Sequence, residues 1–120
     1  WLHHVLSPVL LHFPTTLFAC NFIGPTACLC FKKERMQLFN PSLCWAVDYE
    51  WYYRMLQNSH VRYLRTNYIR SHHGHKGQIS QTIDIQKIRQ SDNETLRKMY
   101  ASHLRIRLFI FIGKAIRKFL

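Results

Sequence analysis

The clearest helical pattern in this 120-residue chain lies in residues 40–68, which read NPSLCWAVDYEWYYRMLQNSHVRYLRTNY. Asn40 and Pro41 are residue types that favour the N-cap and the first position of a helix. At about 100° per residue, apolar and aromatic side chains collect on one face and arginines on the opposite face. The first face holds Trp45, Tyr49, Tyr52, Leu56, His60 and Tyr63, and the second holds Arg54, Arg62 and Arg65. The pattern predicts an amphipathic helix over residues 41–68.

A second helix is indicated by residues 91–94, Ser-Asp-Asn-Glu, which match the capping box found at helix starts. Residues 108–112 are apolar all round, and the apolar face turns by about half a circle after Gly113. We therefore predict a helix over 92–112, a kink or break at Gly113, and a short C-terminal helix. Residues 104–112 also alternate as a strand would, but the capping box favours the helix. Residues 78–89 fit a short strand or a loose helix equally well.

The N-terminal part differs from the rest of the chain in its charge, because residues 1–31 contain no Lys, Arg, Asp or Glu. Pro8, Pro14 and Pro25 interrupt this apolar run, so we expect an irregular segment that packs against protein or serves as an anchor. Residues 32–40 then form a predicted basic linker, and residues 41–120 a basic helical body. The expected fold class is mostly α-helical.

Charge narrows the range of partners. Seventeen Lys and Arg against six Asp and Glu give a net charge of +11, with a sequence pI near 10.0. Such an excess favours an anionic partner, either nucleic acid or an anionic lipid surface. We expect an intracellular setting, which includes organelles, with membrane association left open.

The sequence offers little material for catalysis or metal binding. It has no Gly-rich phosphate loop and no Gly-x-Ser-x-Gly elbow, and most of the six acids stand at predicted helix starts. The Cys28-x-Cys30 spacing does not match a zinc hairpin, and a loop with His72, His73 and His75 has no nearby acid. We therefore predict a non-enzymatic protein without cofactor or metal, whose cysteines are buried and reduced.

Basic and aromatic residues interleave along the C-terminal half of the first predicted helix and continue into the loop after it, a mixture typical of proteins that bind looped or single-stranded RNA. Arginines would neutralise phosphates while rings stack on unpaired bases. The candidate RNA-binding residues are Arg54, Arg62, Arg65, Tyr68, Arg70, Lys76, Lys87 and Arg89. The first functional hypothesis is a structural component of a ribonucleoprotein, of the ribosomal type, that contacts rRNA-like RNA and neighbouring protein chains.

The C-terminus supports an alternative hypothesis, because residues 109–120 resemble a short cationic helix that lies on a membrane surface. The candidate residues are Phe109, Phe111, Lys114, Arg117, Lys118 and Phe119. In this alternative the protein is a membrane-associated subunit of a complex, anchored by residues 5–31 and supported by the cationic helix.

Overall fold

The computed structural model describes residues 2–64 and 84–119, with the side chains of residues 2–5 and 119 left aside. It contains the helices α1 (Leu2–Leu10), α2 (Val47–Leu56), α3 (Ile85–Met99) and α4 (Leu104–Phe119). Short 3-10 turns lie at Pro14–Phe18, Thr26–Cys28 and Lys33–Arg35. No strand occurs in these ranges, so the predicted mostly α-helical class is confirmed.

The core forms where the N-terminal segment meets α2 and α4. The 3-10 turn Pro14–Phe18 packs against both helices and places Leu17 and Phe18 in the interior. The Phe18 ring meets three tyrosine rings edge-on, with centroid distances of 5.8 Å to Tyr49, 5.1 Å to Tyr53 and 5.5 Å to Tyr100. Edge-to-face pairs of this kind add to the stabilisation from apolar burial. The uncharged N-terminal segment therefore supplies the centre of the core.

Helix α2 is shorter than the predicted helix over 41–68. Asn40 does not cap it: its side-chain oxygen accepts the Ser42 N–H at 2.9 Å in a local turn, and the helix begins at Val47. At the other end, Asn58 adopts a left-handed φ of 54°, and the Ser59 hydroxyl donates to the Met55 carbonyl at 2.8 Å. A left-handed residue after the last turn is a common helix stop, which explains the end at Leu56.

Helix α3 begins seven residues before the predicted start at residue 92. Asp84 caps it by accepting the Lys87 N–H at 3.2 Å. The capping-box residues 91–94 therefore lie inside the helix, where Thr95 donates to the Ser91 carbonyl at 3.1 Å. The isoleucines at 85 and 88, left open between strand and helix, lie in α3, while residues 78–83 fall outside the described ranges.

The break between the last two helices lies at residues 100–103, and α4 runs on through Gly113 without interruption. Gly113 serves close packing instead: a Cβ there would stand 2.6 Å from the Ala19 carbonyl oxygen and 3.0 Å from that of Phe18. The missing side chain lets α4 approach the N-terminal turn, and the earlier break lets Leu96 and Ile106 both reach the core. The choice of helix over strand for residues 104–112 is confirmed.

Candidate functional site

A buried carboxylate connects α3 to the start of α2. Asp92, only 3% exposed, accepts the N–H groups of Trp45 and Ala46 at 2.7 Å each and that of Cys44 at 3.2 Å. These donors lie where the N-terminal end of the α2 dipole favours negative charge. Asp92 thus caps a helix that is distant in sequence, and its negative charge is used internally.

A second buried acid binds the arginine of α2. Glu50, fully buried, accepts two hydrogen bonds from Arg54, at 2.8 Å from Nε and 3.1 Å from Nη2, and one at 2.8 Å from the Tyr100 hydroxyl. The remaining Arg54 contacts go to the Gln37 side chain at 3.0 Å and the Leu38 carbonyl at 2.9 Å. A bidentate pair of this kind is among the stronger polar contacts in proteins. Arg54 therefore has a structural role that ties α2 to residues 37–38.

Burial alters the titration of the tyrosines in the core. Burial raises the pKa of Tyr49 to about 12. Burial also raises the pKa of Tyr52 above its ordinary value, with a smaller contribution from Asp48. For Tyr100, burial and then the hydrogen bond to Glu50 raise the pKa of the phenol. The tyrosines of the core are therefore held in their neutral form.

The candidate RNA-binding residues do not share one environment. Arg54 is bound to Glu50, and the Arg89 guanidinium lies 4.9 Å from the centre of the Trp45 ring. Arg62 and Lys87 are exposed. Outside the described residues lie Arg65, Tyr68, Arg70 and Lys76. The grouping of all eight on one RNA-binding surface remains a prediction.

Helix α4 presents an apolar stripe to solvent. Leu104, Leu108 and Phe111 are 77%, 53% and 62% exposed, and their spacing of four and three residues places them on one face. The opposite face is buried through Ile106, Ile110 and Gly113. We call the first three residues the α4 stripe. The helix is thus apolar on both faces, and only one of these faces is covered by the core.

Cations flank this stripe. From helical geometry, Arg107, Lys114 and Lys118 lie along one edge, and Arg105 lies along the other. All four are exposed, and residues 95–119 contain no acid. An apolar band with positive charge on both sides suits an anionic surface that offers an apolar layer just below its charges.

The other predicted membrane-surface residues have different surroundings. Phe109 is half-buried against the core, whereas Lys114 and Lys118 are exposed beside the stripe. Arg117 faces the N-terminal turn and donates to the Ala19 carbonyl at 3.3 Å. The Phe119 side chain lies outside the described part. Leu104 and Leu108 were not among the candidates, although their spacing from Phe111 is visible in the sequence.

The surface is more basic than the composition alone indicates, because two of the six acids are buried. In the described ranges three acids are exposed: Glu34, Asp84 and Glu94. Twelve cations are exposed there: Lys32, Lys33, Arg35, Arg62, Lys87, Arg97, Lys98, Arg105, Arg107, Lys114, Arg117 and Lys118. Folding therefore concentrates the net positive charge on the outside.

The cysteines contradict the expectation of buried thiols. Cys20, Cys28, Cys30 and Cys44 are all free and exposed, because their apolar neighbours Leu17, Phe18 and Phe22 fill the core. Across residues 2–64 and 84–119, no group of three metal-ligating side chains comes together. The predicted loop with three histidines lies outside these ranges.

An open cleft of about 650 Å³ lies between the Pro14–Phe18 turn and the end of α2. His12 and His60 line it, but no carboxylate does, and Arg35 already binds the Asn58 carbonyl at 3.0 Å beside it. The cleft therefore offers no pairing of acid and base.

Within the described residues, no helix is long and apolar enough to cross a membrane. Comparisons with known protein families, with curated proteins and with solved structures find no match to this chain. The interpretation of its surface therefore stands on its own residues.

Proposed function

We propose that this protein is a small, non-enzymatic protein that binds anionic membrane surfaces through α4. The observation that carries this proposal is the exposed α4 stripe with cations along both of its edges. In such a helix the apolar side chains enter the boundary between headgroups and acyl chains, while Lys and Arg contact anionic headgroups.

Both parts of the surface are needed for useful affinity. Each Leu or Phe transferred from water contributes roughly 1.5–3 kcal/mol when fully buried, and each Lys or Arg about 1 kcal/mol near an anionic leaflet. Three apolar residues and four flanking cations together supply enough to hold the protein reversibly on a membrane. Association of two α4 stripes is disfavoured, since it would bring two acid-free cationic helices together.

The test is co-sedimentation of the full chain with vesicles of phosphatidylcholine alone or with about one third phosphatidylserine. We expect binding only to the anionic vesicles, weakened strongly by Leu108→Ser with Phe111→Ser. The matched control is Leu64→Ser, since Leu64 is 58% exposed and lies after α2, outside both α4 and the predicted anchor over residues 5–31. Equal loss with the control, or no binding of the unmodified chain, would refute the proposal.

A second candidate is RNA binding within a ribonucleoprotein, supported by the basic surface outside α4. Arg62 and Lys87 are exposed there and are available for phosphate contacts. We expect binding to a structured RNA to weaken by about 10³ or more between 50 and 200 mM salt if several phosphates are contacted. A preference of the chain for RNA over anionic vesicles would favour this second function. RNA binding should then be unaffected by Leu108→Ser with Phe111→Ser.

A further inference from the structure

Residues 36–39 form an apolar loop that is held rigidly and yet points its side chains outward. Met36, Leu38 and Phe39 are 58%, 81% and 49% exposed. We call these four residues the 36–39 loop. A single exposed leucine is ordinary, but three large apolar side chains exposed within four residues form a patch of the kind that marks an interaction site.

Three hydrogen bonds from α2 hold the loop, two of them to its backbone carbonyls. The Trp51 indole N–H donates to the Gln37 carbonyl at 2.7 Å, and Arg54 donates to the Leu38 carbonyl at 2.9 Å and to the Gln37 side chain at 3.0 Å. The Phe39 ring lies 4.9 Å from that of Trp51. Because the loop is already ordered, a partner that takes up Leu38 meets little further cost in conformational entropy.

The 36–39 loop, like the α4 stripe, has exposed cations beside it. Lys32, Lys33 and Arg35 precede it and are exposed, with Glu34 as the one acid in residues 31–40. At its other end, the Asn40 side chain donates to the Met99 sulfur at 3.2 Å, which places the loop beside the end of α3. Met99 is itself 42% exposed, and helix α4 begins five residues later at Leu104, so the loop lies beside the segment that leads into the α4 stripe.

We infer that the 36–39 loop is a second insertion point, through which Leu38 enters the same anionic bilayer surface that α4 contacts. This inference rests on the proposed membrane function. The occupant is a bilayer and not a second copy of the chain, since the cations around both apolar elements would repel each other in a dimer. A bilayer also accepts two separate apolar elements without requiring a groove shaped for them.

The experiment compares Leu38→Ser with Leu64→Ser in the full chain, using the same phosphatidylserine vesicles. We expect Leu38→Ser to lower the partition coefficient roughly tenfold, and Leu64→Ser to leave it within about twofold. Unfolding curves of both variants should match that of the unmodified chain, because both side chains are exposed.

A second measurement tests whether residue 38 lies among the acyl chains of the bilayer. Leu38→Trp and Leu64→Trp are each mixed with vesicles whose lipids carry bromine on the acyl chains. Stronger fluorescence quenching is expected for the first variant, since the native tryptophans contribute equally to both. Quenching at 38 no greater than at 64 would overturn insertion even if Leu38→Ser weakens binding.

The outcomes separate the two levels of the proposal. If the unmodified chain binds and the α4 stripe variant does not, an unchanged affinity for Leu38→Ser overturns the second insertion point alone. If the unmodified chain fails to bind anionic vesicles at all, the membrane function and the insertion point are both refuted. Capture by an acidic protein, with no vesicle binding, would likewise refute both.

Discussion

Helices α2 and α4 contain the same kinds of residue, aromatic and aliphatic side chains together with cations, but use them in opposite ways. In α2 the one arginine is bound by Glu50 four residues earlier, and the aromatic side chains fill the core. In α4 five cations have no acid within the helix, and four large apolar side chains, the α4 stripe and Ile116, are exposed to solvent. The comparison teaches that interleaved basic and aromatic residues leave unneutralised cations on the surface only where no nearby acid pairs with them.

The largest effect is expected from Asp92→Asn, which breaks the anchor of α2. The amide offers one acceptor oxygen and turns donors toward the N–H groups of residues 44–46. We expect a loss of about 3 kcal/mol in the free energy of unfolding, measured in urea. Glu94→Gln is the matched control, since Glu94 is exposed two residues further along α3. Equal stabilities of the two variants would show that Asp92 does not hold α2.

Glu50→Gln should cost about 2 kcal/mol, because it leaves Arg54 without its counter-charge. The expected loss lies below the range for fully buried pairs, since the Arg54 side chain is 28% exposed. Combining Glu50→Gln with Arg54→Met should recover part of the loss, as removal of both partners leaves no unpaired charge. An additive double variant would contradict the pairing.

High pH tests the tyrosine cluster of the core. The folded state keeps Tyr52 and Tyr53 protonated above their ordinary pKa of 10.0, while the unfolded chain releases these protons. The stability contributed by these tyrosines is therefore fully present below pH 10 and falls as pH rises beyond it, by at most about 1.4 kcal/mol per pH unit for each such tyrosine. The core phenols should ionise in the same transition in which the circular dichroism signal of the helices is lost. Ionisation of all six tyrosines near pH 10 without loss of helix would disprove the effect.

Gly113→Ala tests the buried edge of α4. Alanine raises helix propensity by about 1 kcal/mol, but its Cβ would clash with the backbone of Ala19 and Phe18. We expect a net destabilisation of about 1 kcal/mol, seen as a lower Tm. Ala115→Gly, two residues along the same helix, measures propensity alone. A more stable Gly113→Ala variant would mean that α4 does not pack closely on the N-terminal turn.

The smallest effect on stability, below about 0.5 kcal/mol, is expected from Lys114→Gln with Lys118→Gln. Binding to phosphatidylserine vesicles should nevertheless weaken more than tenfold, because each cation contributes about 1 kcal/mol at an anionic surface. Lys87→Gln, at the start of α3, serves as the control for general charge. If Lys87→Gln weakens vesicle binding as much per removed charge as the α4 variant does, α4 has no special role in membrane binding.

How far a structural feature could be predicted from the sequence depends on how far apart in the chain its interacting residues lie. Periodicity correctly indicated helices and the burial of Tyr52 and Leu56, since both depend on near neighbours. It did not indicate Trp51 and Tyr53, which are also buried, and it placed on the apolar face His60, which is exposed. The Glu50–Arg54 pair is also visible in the sequence, because residues four apart lie side by side on a helix. That spacing alone is enough to separate Arg54 from the other RNA-binding candidates.

Other features could not be read from local pattern. The capping box at 91–94 lies inside α3 because Asp84 caps the helix earlier, and Asp92 is used by a helix distant in sequence. The role of Gly113 likewise depends on Ala19, a partner far along the chain. Local motifs predict what a residue can do, but competing tertiary partners select what it does.

The amino-acid sequence by itself determined the helical class, the uncharged N-terminal segment and the strong positive charge, all of which follow from composition and short-range periodicity. Only the tertiary structure decided which charges are neutralised inside and which apolar side chains stay outside. Burial of Glu50 and Asp92 removes negative charge from the surface, while docking of α4 through its other face leaves the stripe exposed. Both outcomes depend on contacts between segments far apart in the chain, where the free energy of burial and not local preference selects the partner.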